Sequence, residues 1–198
     1  MWHLFGGSRK GKPSLEEQLK VLTGGGIRLL SSITINHLLS SFDRESYESE
    51  PYSLLLTVMG SEAEGAPFTY LSDNIWHFDT ECIEGHGAYI AIAQRMSDLA
   101  GGALPLVDIN DYVDLEEEKA WLSFQLDKQE YRWDAVVEDD WVDSKIISQL
   151  ADLLKNRNQA KRFTYFDLKG QDCLIGCSTE AQLKDLRGMT ALNFQWLT

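Results

Sequence analysis

The sequence predicts an α+β protein with a mainly antiparallel sheet and helices packed on one face. Two segments, residues 119–137 and 162–177, alternate apolar and polar residues on either side of a short turn, as β-hairpins do. Each is followed by a segment whose apolar residues recur at helical spacing. A last apolar segment, "ALNFQWL", extends the order to β-β-α-β-β-α-β. Strands and helices in this order favour an antiparallel sheet with its helices on one side.

The first elements after the N-terminus are predicted to be helices. Ser14 and Glu17 have the spacing of a capping box, in which each side chain bonds the other's backbone amide, so a helix begins there. The glycines at 24–26 end it. A second helical pattern covers residues 27–42.

The next part of the chain is predicted to supply strands. The polar segment "DRESYESEP" is predicted to be a connector. "YSLLLTVMG", residues 52–60, is a near-continuous apolar run and is predicted to be a central strand. "FTYL" and "NIWHFDTE" are predicted to follow as a hairpin or one bent strand.

A long helix is predicted over residues 88–100, because apolar side chains recur there every three to four residues and two glycines follow. "LPLVDI" is predicted to be a short strand. In "KAWLSFQL", the first strand of the first hairpin, alternation places Leu122, Phe124 and Leu126 on one face and Trp121 and Ser123 on the other.

The two C-terminal helices have sequence signals at their ends. Asp143 occupies an N-cap position for a helix over residues 144–156, where its carboxylate can accept from first-turn amides. Thr179 and Gln182 form a second capping box. Gly188 is predicted to end that last helix.

The length of 198 residues is enough to bury a core without disulfides or metals. Residues 1–13 are rich in glycine and basic residues and are predicted to form a flexible leader. A single α+β domain is predicted over residues 14–198, with possible sub-units at 14–110 and 111–198.

Charge restricts the partners that the chain can bind. With 31 acidic and 18 basic residues, the formal net charge is −13. Phosphate binding needs clustered Lys and Arg, so direct nucleic acid binding is not expected, and neither is binding to an anionic membrane. A basic protein would be attracted and steered over a long range. The alternative is that the acidity serves only solubility.

The three cysteines indicate a reducing compartment. Cys82, Cys173 and Cys177 cannot all pair within one chain, and the last two lie roughly 13 Å apart on one predicted strand, at ~3.3 Å per residue. Free thiols and a cytoplasmic location are therefore expected. The first residues lack the apolar segment of a secretory signal.

Acidic residues are concentrated around the first hairpin. Thirteen acids and only three bases lie between Asp108 and Asp143, a segment that contains the hairpin, an acidic loop that enters it and another that leaves it. Because antiparallel strands run in opposite directions, both loops emerge at the same end, and we expect a single negative surface there. A solvated rim without a partner is the alternative. The candidate partner-binding residues are Asp111, Asp114, Glu116, Glu117, Asp139, Asp140 and Trp141.

Trp141 is included in this set because tryptophan is enriched among interface hot spots. This contact role is the alternative interpretation of Trp141; the favoured one is that its side chain packs inward, since tryptophan side chains are largely buried on average.

Catalytic motifs are absent from the sequence: it has no P-loop, no G-x-S-x-G and no G-x-G-x-x-G. We therefore predict no catalytic residue, no metal and no cofactor. In "WHFDTE", alternation places His77, Asp79 and Glu81 on one strand face, where with His86 they could hold a metal or perform acid–base chemistry. The alternative is the solvent-facing side of a half-buried strand.

The segments "YRWDAVVEDDWVDSKIISQLADLL" and "FTYFDLKGQDCLIGC" resemble bacterial immunity-type proteins of polymorphic or contact-delivered toxin systems. The resemblance lies in the tryptophan-bearing hairpin, the acidic entry to a helix and the later hairpin with "GQD", over about the last 80 residues. It implies a stoichiometric inhibitor that binds a cognate, often basic, toxin and masks its active site. The remaining alternatives are a small hydrolase or metal-dependent enzyme, and a non-catalytic adaptor subunit; the oligomeric state stays open.

Overall fold

The computed structural model describes residues 12–62, 70–158 and 160–198, and it confirms the α+β class. Its strand pairs are antiparallel. Most of the predicted leader lies outside these residues. The helices are α1 (Leu15–Gly24), α2 (Ile35–Ser41), α3 (Arg44–Ser49), α4 (Ser53–Gly60), α5 (Ala88–Leu99), α6 (Ser144–Arg157) and α7 (Glu180–Thr190). The strands are β1 (Ile75–Asp79), β2 (Val107–Asp114), β3 (Lys119–Leu126), β4 (Gln129–Ala135), β5 (Arg162–Lys169), β6 (Asp172–Ser178) and β7 (Gln195–Trp196).

The described strands form two sheets instead of one. A central sheet has the order β1-β6-β5-β7, and an outer sheet has the order β2-β3-β4. The central sheet has apolar side chains on both faces: Ile75 and Leu174 lie in one hydrophobic cluster with α1–α4 and α7, whereas Phe78 and Ile175 lie in another with α5, α6 and the outer sheet. Helices therefore cover both faces of the central sheet. β1 of the first predicted sub-unit is a strand of the same sheet as β5–β7 of the second.

The segment predicted as a central strand, residues 52–60, is instead the helix α4, so that prediction is wrong. A short apolar run fits either a buried strand or a helix that is buried on most sides, and periodicity does not separate the two. Leu55 and Leu56 are fully buried, and Gly60 lets the helix approach β1 closely.

The prediction that "DRESYESEP" is a connector is also wrong, because this segment contains α3. Asp43 caps this helix by accepting a hydrogen bond from the amide of Ser46 at 2.8 Å. Tyr47 lies on the inner side and is fully buried. A short helix with a single buried apolar residue shows no apolar periodicity. Its polar composition therefore indicated a connector instead of a helix.

Other boundaries differ from the predictions. The helical pattern over residues 27–42 is confirmed only for α2, since Thr34 and His37 form a capping box that starts the helix there. In "NIWHFDTE" only β1 is a strand, and it pairs with β6. The first half of "FTYL", the other part of the predicted hairpin or bent strand, lies outside the described residues. Helix α7 continues past Gly188, and β7 is only two residues long.

The predicted helices α1, α5 and α6 and both predicted hairpins are confirmed. Ser14 and Glu17 make the two reciprocal bonds of the capping box. The apolar side chains of β3, from Leu122 to Leu126, point into the core. None of the described helices has the length and apolar character that a membrane span requires.

Candidate functional site

The two acidic segments around the first hairpin meet in space, as predicted. Ala120 at the start of β3 pairs with Ala135 at the end of β4, so the β2–β3 turn and the connection from β4 to α6 lie at the same end of the outer sheet. Together they line a cavity of about 470 Å³. Its lining residues are Leu115, Glu118, Val137, Asp139 and Asp140.

A third connection, from β1 to α5, joins this surface and was not anticipated from the sequence. The amide of Ile83 donates to the carbonyl of Asp140 at 2.9 Å, and the amide of Val142 donates to that of Thr80 at 2.8 Å. Glu81 forms an isolated β-bridge with Trp141. The connection thereby adds Glu81 and the exposed Glu84 to the surface. We call residues 81–84, 115–118 and 136–141 the acidic rim.

Most carboxylates of the acidic rim have no basic partner. Glu117 pairs with Lys119, at 2.7 Å between Oε2 and Nζ. Within the described part of the chain, the other acidic side chains of the rim lie in no ion pair with a lysine or arginine. The rim therefore keeps most of its negative charge available to a partner. These other side chains are Glu81, Glu84, Glu116, Glu118, Glu138, Asp139 and Asp140.

Two of the predicted contact residues have structural bonds. The Asp111 carboxylate accepts from the amides of Gly87 and Tyr89 at the start of α5, at 2.9 and 3.0 Å. Asp114 anchors the β2–β3 turn: the amide of Glu117 donates to its carboxylate, and this bond, with those from the Tyr112 hydroxyl and the Glu116 amide, lowers the pKa of Asp114 below its usual value. Asp111 and Asp114 also lie on strand β2 and not in the loop where they were expected.

Exposed apolar side chains accompany the acids. Trp141 is 40% exposed, so the prediction that it packs inward is wrong and its side chain lies at the surface. Leu115 and Val136 are also exposed, at 37% and 68%. Half of the six large apolar side chains exposed in the described residues therefore lie on the rim. Apolar anchors within a charged surround are typical of a protein interface.

The residues of the alternative metal site do not come together as one cluster. His77 is engaged with Asp172, at 3.2 Å between Nε2 and Oδ1. Asp79 caps its own loop by accepting from the amide of Glu81, at 2.9 Å. His86 lies against β2, where its Nδ1 accepts from the amide of Val113 at 3.2 Å. No group of three or more His, Cys, Asp or Glu that could hold a metal ion occurs among the described residues.

All three cysteines are free, and each thiol has a raised pKa. Burial raises the pKa of Cys82 to about 11, with a further contribution from nearby acids including Asp140. Burial is also the main cause for Cys173, at about 12, and Cys177, at about 11. A raised pKa keeps these thiols protonated near neutral pH, which does not suit a nucleophile.

We expect the thiols of the folded protein to react with Ellman's reagent at least about 100-fold more slowly at pH 8 than those of the protein unfolded in guanidinium. The reason is that only about one thiol in a thousand is thiolate when the pKa is 11, and burial limits access further. The rate is measured by absorbance. A native cysteine that reacts as fast as the unfolded control would contradict the prediction.

Comparison of the chain with protein-family models, with curated proteins and with solved structures gave no match.

Proposed function

We propose that the acidic rim binds a basic protein and neutralises it, as an immunity protein neutralises a cognate toxin. The observation that supports this most directly is the convergence of three chain segments that carry acids without basic partners around the exposed Trp141. A surface of this composition attracts a positively charged partner and repels a negatively charged one.

The proposed mode of neutralisation is steric and electrostatic. An enzyme that acts on nucleic acid has a basic substrate-binding surface, because phosphates must be bound by Lys and Arg. The carboxylates of the rim would occupy the positions of those phosphates, and Trp141 and Leu115 would supply apolar contacts among them. The partner's active site is then covered and no chemistry by this chain is needed. The action is proposed to take place in the cytoplasm, where free thiols persist.

The experiment is a kinetic comparison in which the product of the neighbouring gene is tested as the proposed toxin. We expect the association rate of the wild-type chain to fall about tenfold or more when salt rises from roughly 50 to roughly 500 mM, because screening shortens the reach of the rim charges. The double variant Asp139→Lys, Asp140→Lys should associate about tenfold more slowly at low salt, with the rate measured by stopped-flow fluorescence.

The matched control is Asp152→Lys, Asp185→Lys, which makes the same change in net charge at two exposed residues on α6 and α7, outside the rim. It should associate at a rate close to wild type. Equal effects of the two double variants would mean that only net charge matters, and the rim would lose its role. A salt-independent rate would reject the electrostatic mode altogether.

A further inference from the structure

Strand β4 is an edge strand whose backbone directions follow from the turn that precedes it. Asp127 and Lys128 form a two-residue turn and both have positive φ, of 53° and 67°. In such a hairpin the closing pair, Leu126 and Gln129, is hydrogen-bonded, and bonded pairs then alternate along the strands. The backbone groups of every second residue of β4 therefore point away from β3. These outward residues are Glu130, Arg132 and Asp134.

On β2 and β1, the other long edge strands, a backbone group is bonded to a side chain from elsewhere in the fold. On β2, the same alternation directs the amide of Val113 outward, and it donates to Nδ1 of His86. On β1, the carbonyl of Ile75 accepts from the buried guanidinium of Arg95 at 2.8 Å. The outward backbone groups of β4 make no hydrogen bond with any other described residue. An open edge strand presents unpaired backbone groups with which another chain can pair.

The side chains along this edge determine which chain could pair with it. Glu130, Arg132 and Asp134 are all exposed, and the alternate residues Tyr131 and Trp133 are half-buried on the other face. A second copy of this chain, with a net charge of −13, would be repelled. In a segment paired with β4, basic residues opposite Glu130 and Asp134 would meet opposite charges on one face of the sheet. Apolar residues opposite Tyr131 and Trp133 would meet aromatic side chains on the other face.

The edge also leads into the acidic rim. β4 ends at Ala135, and the rim begins at the next residue, Val136. A strand that pairs antiparallel with β4 begins at the end of β4 that is next to the rim. The residues that precede this strand would lie beside the rim, where further basic side chains could contact Asp139 and Asp140.

We propose that an extended basic segment of the partner adds to β4 as a fourth strand of the outer sheet, with its preceding residues in the acidic rim. This inference rests on the proposed function and names the part of the partner that the site recognises. Backbone hydrogen bonds to Glu130, Arg132 and Asp134 provide the pairing, and alternate basic and apolar side chains provide the selectivity.

The test uses a synthetic peptide, acetylated and amidated, of sequence KKKVSVK. In the antiparallel register its third, fifth and seventh residues lie opposite Asp134, Arg132 and Glu130. One derivative carries N-methyl groups on these three residues, whose amides face β4. The matched control carries N-methyl groups on the two valines, whose amides face away. The two derivatives have the same charge, so electrostatic attraction does not distinguish them.

We expect the unmodified peptide and the valine-methylated control to bind, and to slow hydrogen exchange at the outward amides of β4 in NMR spectra. The derivative methylated on the facing amides should bind at least about tenfold more weakly, since it loses the donors of the pairing. Equal binding of both derivatives would overturn strand addition while leaving charge-driven binding at the rim intact. No binding of the unmodified peptide at millimolar concentration, or protection of β4 by concentration-dependent dimerisation, would also overturn it.

Discussion

We expect Asp111→Ala to lower the free energy of unfolding by about 2–3 kcal/mol. The Asp111 carboxylate accepts hydrogen bonds from the amides of Gly87, Tyr89 and Ile90, at 2.9, 3.0 and 3.3 Å. These amides begin α5 and have no partner within the helix. Removal of a charged acceptor leaves partly buried donors unpaired at the positive end of a helix, and charge-assisted bonds contribute about 1.5–3 kcal/mol.

The measurement is urea denaturation followed by circular dichroism. Asp111→Asn keeps one acceptor oxygen and should give an intermediate loss. The control is Glu116→Ala, at an exposed turn residue from the same set of predicted contacts, with an expected change within about 0.5 kcal/mol. If Asp111→Ala is as stable as Glu116→Ala, the carboxylate does not hold the start of α5, and Asp111 returns to the set of free contact residues.

The sequence was sufficient to predict the meeting of the two acidic segments, because hairpin geometry is local and follows from alternation and turn length. It was not sufficient to separate Asp111 from its neighbours. The amides that Asp111 accepts from lie more than 20 residues earlier, on a connection that is placed by the packing of α5 against β2. The pattern of residues around Asp111 contains no information about a hydrogen bond to amides so far away in the sequence.

The third segment of the rim was missed for the same reason. Glu81 follows β1, which reaches the rim through its pairing with β6, nearly 100 residues later in the chain. From the sequence alone, Glu81 belonged with His77 and Asp79 as a possible ligand. Alternate residues share one face of a sheet only within the strand. Strand β1 ends at Asp79, two residues before Glu81, so Glu81 does not follow this rule.

The largest local error, the strand predicted at residues 52–60, has a cause in the physics of burial. When nearly every residue of a segment is hydrophobic, the apolar residues show neither the period of two of a strand nor the period of 3.6 of a helix. Helix α4 is enclosed by β1 on one side and by α2 and α3 on others, so it needs apolar residues on most of its sides. Gly60 lies where the backbones of the helix and the strand come close together.

We expect Gly60→Ala to lower the free energy of unfolding by about 3 kcal/mol. A Cβ at this position would lie 2.5 Å from the backbone nitrogen of His77 and 2.8 Å from the carbonyl carbon of Trp76. Both atoms belong to the backbone of β1, so no change of rotamer relieves the overlap, and the helix must move away from the sheet. Overpacking of a well-packed core typically costs about 1–3 kcal/mol, and a backbone clash belongs at the upper end.

The same substitution at Gly188 should have the opposite sign, raising the free energy of unfolding by about 0.5–1 kcal/mol. Gly188 lies within α7, and a Cβ there would meet no other group within 4 Å. Alanine then gains its helix propensity without a steric cost. Urea midpoints of both variants give the comparison. If both substitutions stabilised the protein, there would be space for a Cβ between α4 and β1. The close contact between the two backbones at Gly60 would then be wrong. If both destabilised it, the helical conformation at Gly188 would be wrong, and α7 would end where the sequence predicted.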